Sequence, residues 1–390
     1  MKTVPIRVLH ICQRDDPTSG GATRVAVELV KRLNLMGHDA HILFVYGPEG
    51  IFKEQLGEKA HHLGLESSRD FRRMGTLRTF IRELAPQIIH HHDGLLWVYG
   101  LTAITSAPKV IHGHCLPRKT EECRRATLTR FLQRLTAQKM ICTSETMRSV
   151  MRVEASWPDD KTYVVANGVD QEHFRPPTES QRLAVRERFG LPKDARVAGF
   201  VGRLDCDTKG ADDFLRSLAT LEASIWGLLA GGGPDEAKLK AMAQELGIAN
   251  RVVFTGPLAD PLAAYHAMDA FALTSRFELF GLVVVEALAC GLPVVAFTCQ
   301  GGVGDILADG IGTMVDTRTP EALAQVLARV LDGPRPPRPN LSPYDWTTGA
   351  RLLSELYGTL LMSRTTASVR HSPTPPDPPP LRKAVRGAEE

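Results

Sequence analysis

The sequence predicts an α/β protein built on doubly wound parallel sheets, and three observations carry that reading. Short apolar, β-branched runs alternate with helical runs along most of the chain, the pattern of strand–helix–strand units. The alternation starts afresh near Val197, after a charged, proline-containing link from Arg175 to Asp194. The length, 390 residues, suits two domains of ordinary size.

In order, Val4 to Cys12 is a first strand, followed by a polar loop from Gln13 to Gly21 and a helix from Thr23 to Met36. Asp39 to Val45 is the next strand, beyond Gly37-His38. Then come a helix, Met74 to Leu84, and strands at Gln87 to His91, Lys109 to His114 and Lys139 to Thr143. Arg118 to Lys139 reads as a helix with Arg124, Arg125, Arg130, Arg134 and Lys139 on polar positions, and Leu128, Phe131, Leu132 and Leu135 on apolar ones. The second half opens with the strand Val197 to Leu204, and Asp205 to Gly210 runs from it into a helix. Strands at Gly227 to Ala230, Val252 to Gly256 and Asp269 to Leu273 follow. Leu282 to Cys290 is a helix stopped by Gly291 and Pro293, and Val294 to Phe297 is the next buried strand. Ala322 to Leu331 is helical, and after a proline-rich break Tyr344 to Met362 reads as a terminal amphipathic helix. From Arg364 the composition is that of a disordered tail.

Hydrophobic content of 43% and charged content of 23% describe a soluble globular chain, and a net charge of +3 gives no reason to expect nucleic acid as a partner. Seven dispersed cysteines without a C-x-x-C pair point to a reducing cytoplasm rather than a disulfide framework or zinc site. The N-terminus is too short and interrupted for a signal peptide, and no apolar run approaches the ~18 residues of a membrane span.

Polar loops at the carboxyl ends of strands are where an open α/β sheet binds ligands. One such loop, Thr274 to Gly281, carries Glu278, and Glu286 follows on the helix after seven intervening residues. Two carboxylates can be a hydrolase pair, acceptors for sugar or ribose hydroxyls, or a helix-start acid plus an exposed helix residue. The Glu286 helix is otherwise apolar, so its carboxylate is expected to be buried and therefore partnered. Gly20-Gly21 ends the first loop, where backbone can approach a phosphate or simply turn tightly. Histidines gather at strand ends: His90, His91, His92, His112 and His114.

The stretch T-S-R-F-E-L-F-G-L-V-V-V-E-A-L-A-C-G-L-P-V-V-A-F, from Thr274, resembles the E-x7-E signature of family-four retaining glycosyltransferases. Leu279 stands where that family usually has glycine. Further likenesses are Asn167-Gly168-Val169-Asp170 with Phe174, the Gly202-Arg203-Leu204 and Lys209-Gly210 pair, and Gly231-Gly232-Gly233-Pro234. Val252 to Gly256 and Gln300 to Asp305 resemble family segments too, the latter with aspartate in place of glutamate and expected either to tighten its loop against the donor phosphates or to be a plain left-handed turn.

The resemblance implies a GT-B fold: two Rossmann-like domains facing across a cleft, an acceptor domain over residues 1–175 and a nucleotide-sugar domain over 176–343. Residues 344–363 are then a helix crossing back to the first domain, and 364–390 a proline-rich tail. It implies retaining transfer of a sugar from a nucleotide donor to an acceptor hydroxyl, in the making of surface glycan or glycolipid. Arg203 and Lys209 would stabilise the departing diphosphate, Glu278 would hydrogen-bond the donor sugar, and Glu286 the ribose. His114, with His112 second, would stand beside the transferring sugar. Gly20, Gly21, Gly202, Gly232, Phe280, Gly281 and Leu282 would line the donor. The cation pair makes a metal less necessary, and the sequence shows neither an Asp-x-Asp motif in a suitable place nor a histidine–carboxylate ligand cluster, so neither metal nor cofactor is expected. The acceptor can be a glycan, a lipid-linked carrier or a small metabolite. The Arg118 to Lys139 helix and a second basic stretch (Arg69, Arg72, Arg73, Arg78, Arg82) are either solvated faces or a means of docking peripherally on the anionic inner face of a membrane.

Other readings stay open. A nicotinamide dehydrogenase would need G-x-G-x-x-G after the first strand, which the Gln13 to Gly21 loop lacks. A sugar-nucleotide epimerase or glycoside phosphorylase would share the architecture. A non-catalytic sugar-binding homologue is opposed by the joint presence of Arg203, Lys209, Glu278 and Glu286.

Overall fold

The computed structural model describes residues 4–16, 21–67, 70, 73–92, 96–114 and 131–370. The first half runs β1 (Arg7–Arg14), α1 (Gly21–Leu35), β2 (Asp39–Tyr46), α2 (Ile51–Leu56), β3 (Ala60–Leu65), α3 (Met74–Leu84) and β4 (Ile88–His91). It continues with α4 (Leu96–Ala103), β5 (Lys109–His112), α5 (131–136), β6 (Lys139–Cys142), α6 (Glu145–Val153) and β7 (Thr162–Val164). The second half runs α7 (Glu179–Arg188), β8 (Arg196–Val201), α8 (Cys206–Lys209), α9 (Ala211–Thr220), β9 (Ile225–Ala230), α10 (Glu236–Glu245), β10 (Val252–Phe254) and α11 (Leu262–Ala267). Then come β11 (Ala270–Leu273), β12 (Phe277–Glu278), α12 (Leu282–Ala289), β13 (Val294–Phe297), β14 (Gln300–Gly301), α13 (Val303–Ile306), β15 (Thr313–Val315), α14 (Pro320–Asp332) and α15 (Trp346–Arg370).

The strands form a seven-stranded sheet, β3-β2-β1-β4-β5-β6-β7, and a six-stranded sheet, β10-β9-β8-β11-β13-β15. Their pairings are parallel, as the alternation of elements predicts. In each sheet the strand order reverses once beside the first strand of the half, between β1 and β4 and between β8 and β11. Such a switch point opens a crevice at the carboxyl ends of the strands.

Several elements differ from the sequence reading. The strand β3 was not foreseen, because its A-H-H-L-G-L run hides the apolar alternation of an edge strand behind histidines and a glycine. Helix α2 is too short to show a period, and the Asp15 carboxylate holds it by accepting from the backbone N–H groups of Gly50, Phe52 and Lys53. The long basic helix expected up to Lys139 stops earlier, since Lys139 opens β6. Residues 115–130, with most of its arginines, lie outside the described residues, as do Arg69 and Arg72. Helix α15 runs to Arg370, past the expected end at Met362 and into the segment read as tail, because that segment carries no proline before Pro373.

The terminal helix packs against the first sheet. Trp346, Leu353, Leu356 and Tyr357 share a buried cluster with Val8, Ile42, Phe44 and Val110. Two buried polar contacts fix its rotation: Ser354 Oγ lies 2.8 Å from His38 Nε2, and Tyr357 Oη lies 2.5 Å from His90 Nδ1.

The second unit is tied at the opposite end of its sheet by Arg186, which is 1% exposed. Its guanidinium meets Asp269 at 2.7 Å and donates to the carbonyls of Lys193, Ala195 and Ala267. Arg186→Ala takes the guanidinium donor from three carbonyls at once and leaves Asp269 to Arg182, Arg335 and the Val197 N–H. Urea unfolding should show a loss of about 3 kcal/mol with an unchanged m-value.

Candidate active site at the strand-order switch

The loops that leave β8 and β11 meet at the switch point of the second sheet, and hydrogen bonds stitch them together. Arg276 N donates to Thr208 O at 2.9 Å, and Thr274 Oγ1 donates to Lys209 O at 3.1 Å. Lys209 ends the one-turn helix α8, which Asp205 caps by accepting from Thr208 N, and Gly210 terminates it in the left-handed conformation. Lys209 Nζ thereby reaches Glu278 Oε1 at 2.5 Å, and Ser275 Oγ donates to the same oxygen at 2.8 Å. The pair stays partly open, with the lysine side chain 29% and the glutamate side chain 13% exposed. Arg318 buttresses the loop from behind through the carbonyls of Thr274 and Ser275, and it pairs with Asp213. Arg203 follows β8 in the same crevice loop. It is exposed and makes no ion pair or hydrogen bond among the described residues.

Glu278 is held in place by its backbone. It pairs with Gly301 in the two-stranded β12–β14 ladder, and its carbonyl accepts from Gly302 N. The chain then turns into α12 at Gly281, whose φ of +92° is the left-handed conformation that favours glycine. Gly281 has no side chain with which to cap, and Val284 N donates to its carbonyl, so among the described residues the N–H groups of Leu282 and Val283 remain for another acceptor.

Glu286 is 2% exposed, as the apolar helix around it predicts. Its partners come from elsewhere in the fold: Arg24 Nη2 donates to Oε1 and Tyr265 Oη to Oε2, both at 2.8 Å. The Glu286 charge raises the Arg24 guanidinium further, while burial, then Glu286, pushes the Tyr265 phenol well above its ordinary range. Arg24 belongs to α1, so this ion pair joins the two units. Gly21 opens α1 and a Cβ there would lie 3.3 Å from Leu282 Cδ1, so the starts of α1 and α12 face each other. Leu282 itself packs against the cores of both units. Gly20 lies outside the described residues. A cavity of about 330 Å³ is lined by Arg24, Asp170, Phe174, Asp260, Glu286 and Trp346 among others, and Lys209 and Arg203 are not part of its lining. It lies at the Glu286 end of the crevice.

Gly202 and Gly232 lie on the adjoining strand ends, where Gly202 N donates to Ala230 O and Leu204 N to Gly232 O. The expectation for Phe280 needs correction. Its side chain is 3% exposed and packs edge-on against Tyr344 at 5.8 Å, so it anchors the loop from inside rather than lining the crevice. Asp305 also acts differently from the reading. It accepts from Thr146 N and Thr146 Oγ1, at 3.0 and 2.7 Å, and so bridges the second unit to the first turn of α6.

His114 is partly exposed, stacks on His112 at 4.4 Å and places Nε2 3.0 Å from His92 Nδ1. Burial lowers its pKa to about 3, so the ring is neutral in ordinary buffers. His112 is buried, and among the described residues neither ring nitrogen has a hydrogen-bond partner. The sequence reading looked for a histidine–carboxylate cluster and did not foresee that strand register sets His10 opposite His90, with one ring nitrogen of each of His10, His90 and His92 within 4.8 Å of the others. Arg24, Tyr265, Ser275 and Arg318 were missed as well. Of these only Ser275, three residues before Glu278, left a local signal.

Residues 19–173 match the family model described as Glycosyltransferase Family 4, and residues 181–344 match that of Glycosyl transferases group 1. The chain belongs to the group 1, family-four glycosyltransferases. It is 38% identical over 217 residues to the D-inositol 3-phosphate glycosyltransferase of Corynebacterium urealyticum, covering 50% of this chain and 51% of that one. The enzyme of the same name from Mycolicibacterium smegmatis is 40% identical over 178 residues, or 43% of this chain and 39% of that one. The chain thus spans about half the length of the curated relatives it matches, or less. Among solved structures, Anabaena HepE in complex with UDP-glucose aligns with a TM-score of 0.72 at 20% identity, over 94% of this chain and 100% of that one. Sucrose-phosphate synthase from Thermosynechococcus elongatus aligns with a TM-score of 0.74 at 21% identity, over 91% and 99%. These likenesses establish the GT-B fold. No helix among the described residues is long and apolar enough to cross a membrane.

Proposed function

We propose that this chain transfers a glycosyl residue from a nucleotide sugar to an acceptor hydroxyl with retention of the anomeric configuration. The observation that carries the reading is the pairing of an unpartnered, exposed Arg203 with a half-open Lys209–Glu278 ion pair at one switch point. A departing nucleoside diphosphate needs preorganised positive charge, which Arg203 and Lys209 supply. Glu278 accepts from the sugar hydroxyls. Glu286 uses the lone pairs left by Arg24 and Tyr265 for the ribose hydroxyls. His114 hydrogen-bonds beside the anomeric carbon. Glu278 is engaged by Lys209 and Ser275, which disfavours it as a nucleophile and favours front-side attack. The bond from the anomeric carbon to phosphate oxygen breaks, the bond to the acceptor oxygen forms, and the leaving phosphate oxygen takes the acceptor proton. Two cations provide the charge, so the reaction as drawn uses no metal and no cofactor.

In this reading residues 1–175 hold the acceptor and 176–343 the donor, and the enzyme works in the cytoplasm in the making of surface glycans or glycolipids. The uridine donor of the HepE complexes makes UDP-sugars the first donors to try, and the relatives' name makes D-inositol 3-phosphate the first acceptor.

A thermal-shift screen against UDP, GDP, ADP and their sugar conjugates tests the proposal, since a ligand of the folded state raises Tm. One nucleotide should stabilise the protein, and Arg203→Ala should remove that response. Proton NMR of the product formed with the matching donor should then show the donor's own anomer. No shift with any nucleotide, or an inverted product, would overturn the reading.

A further inference from the structure

The face of the first sheet that packs beneath α15 carries a histidine patch of which the transfer reading uses His114 alone. His10 of β1 is in register with His90 of β4, and strand alternation puts His92, His112 and His114 on the same face. His10, His90, His92 and His112 are buried. Among the described residues, His10 Nε2, His90 Nε2 and both ring nitrogens of His112 have no hydrogen-bond partner. Buried polar nitrogens are seldom left so, and four in one patch call for an occupant.

One ring nitrogen of each of His10, His90 and His92 lies within 4.8 Å of the others. Tetrahedral coordination at about 2.0–2.1 Å places imidazole ligand atoms roughly 3.3 Å apart, so modest ring shifts close the set. Two of the three rings are already fixed from behind, as metal-binding histidines commonly are. Tyr357 Oη holds His90 Nδ1 at 2.5 Å and leaves Nε2 free. His114 Nε2 holds His92 Nδ1 at 3.0 Å, and His92 Nε2 stands 2.9 Å from His10 Nδ1, where a cation can replace the shared proton.

We propose that His10, His90 and His92 form a three-imidazole site for a divalent transition-metal ion of the zinc class. An all-imidazole set suits zinc, nickel or copper and disfavours calcium or magnesium. Water completes the tetrahedron, and one unpartnered ring nitrogen of His112, whose ring stacks beside His92 at 5.1 Å, receives and orients it. Loss of a proton from that water lowers the charge that must be buried. The ion ties β1 to β4 and, through Tyr357, to α15, so its role is to anchor the terminal helix. The site belongs to the sheet opposite Lys209 and Glu278 and meets the transfer reading only at His114, which holds His92 from behind.

The test uses the untagged full chain, stripped with a chelator and titrated with Co²⁺ and Zn²⁺. One equivalent of Co²⁺ should bind with the visible ligand-field bands of a tetrahedral site, and Zn²⁺ should raise Tm. His90→Gln should abolish both responses. Tyr357→Phe, which keeps the packing, should weaken Co²⁺ binding roughly 10–100-fold. His41→Asn, at the separate His41–His61 pair, should bind as the parent does. Absence of stoichiometric uptake by the parent protein would overturn the site without reference to any variant. So would uptake that survives His90→Gln, or that His41→Asn removes.

Discussion

Lys209→Ala is expected to lower kcat by about 10²–10³-fold while leaving the fold almost as stable as before. The size of the first effect follows from where the ammonium sits. It ends α8 at the switch-point crevice and is steered there by a cap at Asp205 and a hydrogen bond from Thr274 to its carbonyl. A charge placed in advance, in a site partly screened from water, acts on the departing diphosphate without waiting for solvent to reorganise. The smallness of the second follows from exposure. The Lys209–Glu278 pair is partly open to solvent, and pairs of that kind contribute at most about 1 kcal/mol. Lys209→Arg should recover little, because a planar fork on a three-carbon stem cannot repeat a point charge between Glu278 and a phosphate. Steady-state kinetics beside a melting curve separates the alternatives. A variant with parental kcat and a lowered Tm would reduce the lysine to the ion partner of Glu278.

How much of this was legible in the sequence depended on whether a feature is local. The strands around the second switch point read clearly because each is a nearly continuous apolar run, those around the first because histidines break theirs only in part, and Arg203, Lys209, Glu278 and Glu286 read clearly because each sits in a short stretch with a recognisable pattern. The partners of Glu286 did not. Arg24 is 262 positions away and Tyr265 is 21, and only the packing of α1 and α11 against α12 joins them. His10 looked like one polar residue inside a first strand until parallel register set it opposite His90. Phe280 was misjudged for the converse reason: a position within a ligand-facing loop can point its side chain into the core, and a large aromatic ring gains most by doing so. The strand β3 was lost because histidines occupy positions of intermediate burial in it, and a period of two cannot be seen when the polar residues are half-buried.

Gly301→Ala is expected to destabilise the protein by roughly 3 kcal/mol or more and to abolish the nucleotide-dependent rise in Tm. Gly301 has a φ of +126°, and a Cβ built there would stand 1.6 Å from the carbonyl oxygen of Glu278. The atom in the way is backbone, so no rotamer change relieves the contact. Either β14 moves off β12 or the Glu278 loop moves off β14. The first breaks the ladder that positions Glu278, and the second carries its carboxylate away from Lys209 and Ser275. Both routes reach the same functional end, so a partly folded variant should still fail to answer nucleotide. The neighbouring Gly304 supplies the control, since a Cβ there meets nothing within 4 Å and alanine suits its helical position. Gly304→Ala should keep parental stability and a parental response. If Gly301→Ala kept both as well, the β12–β14 ladder would not be what holds Glu278, and the loop would have to be ordered by Phe280 and Arg318 alone.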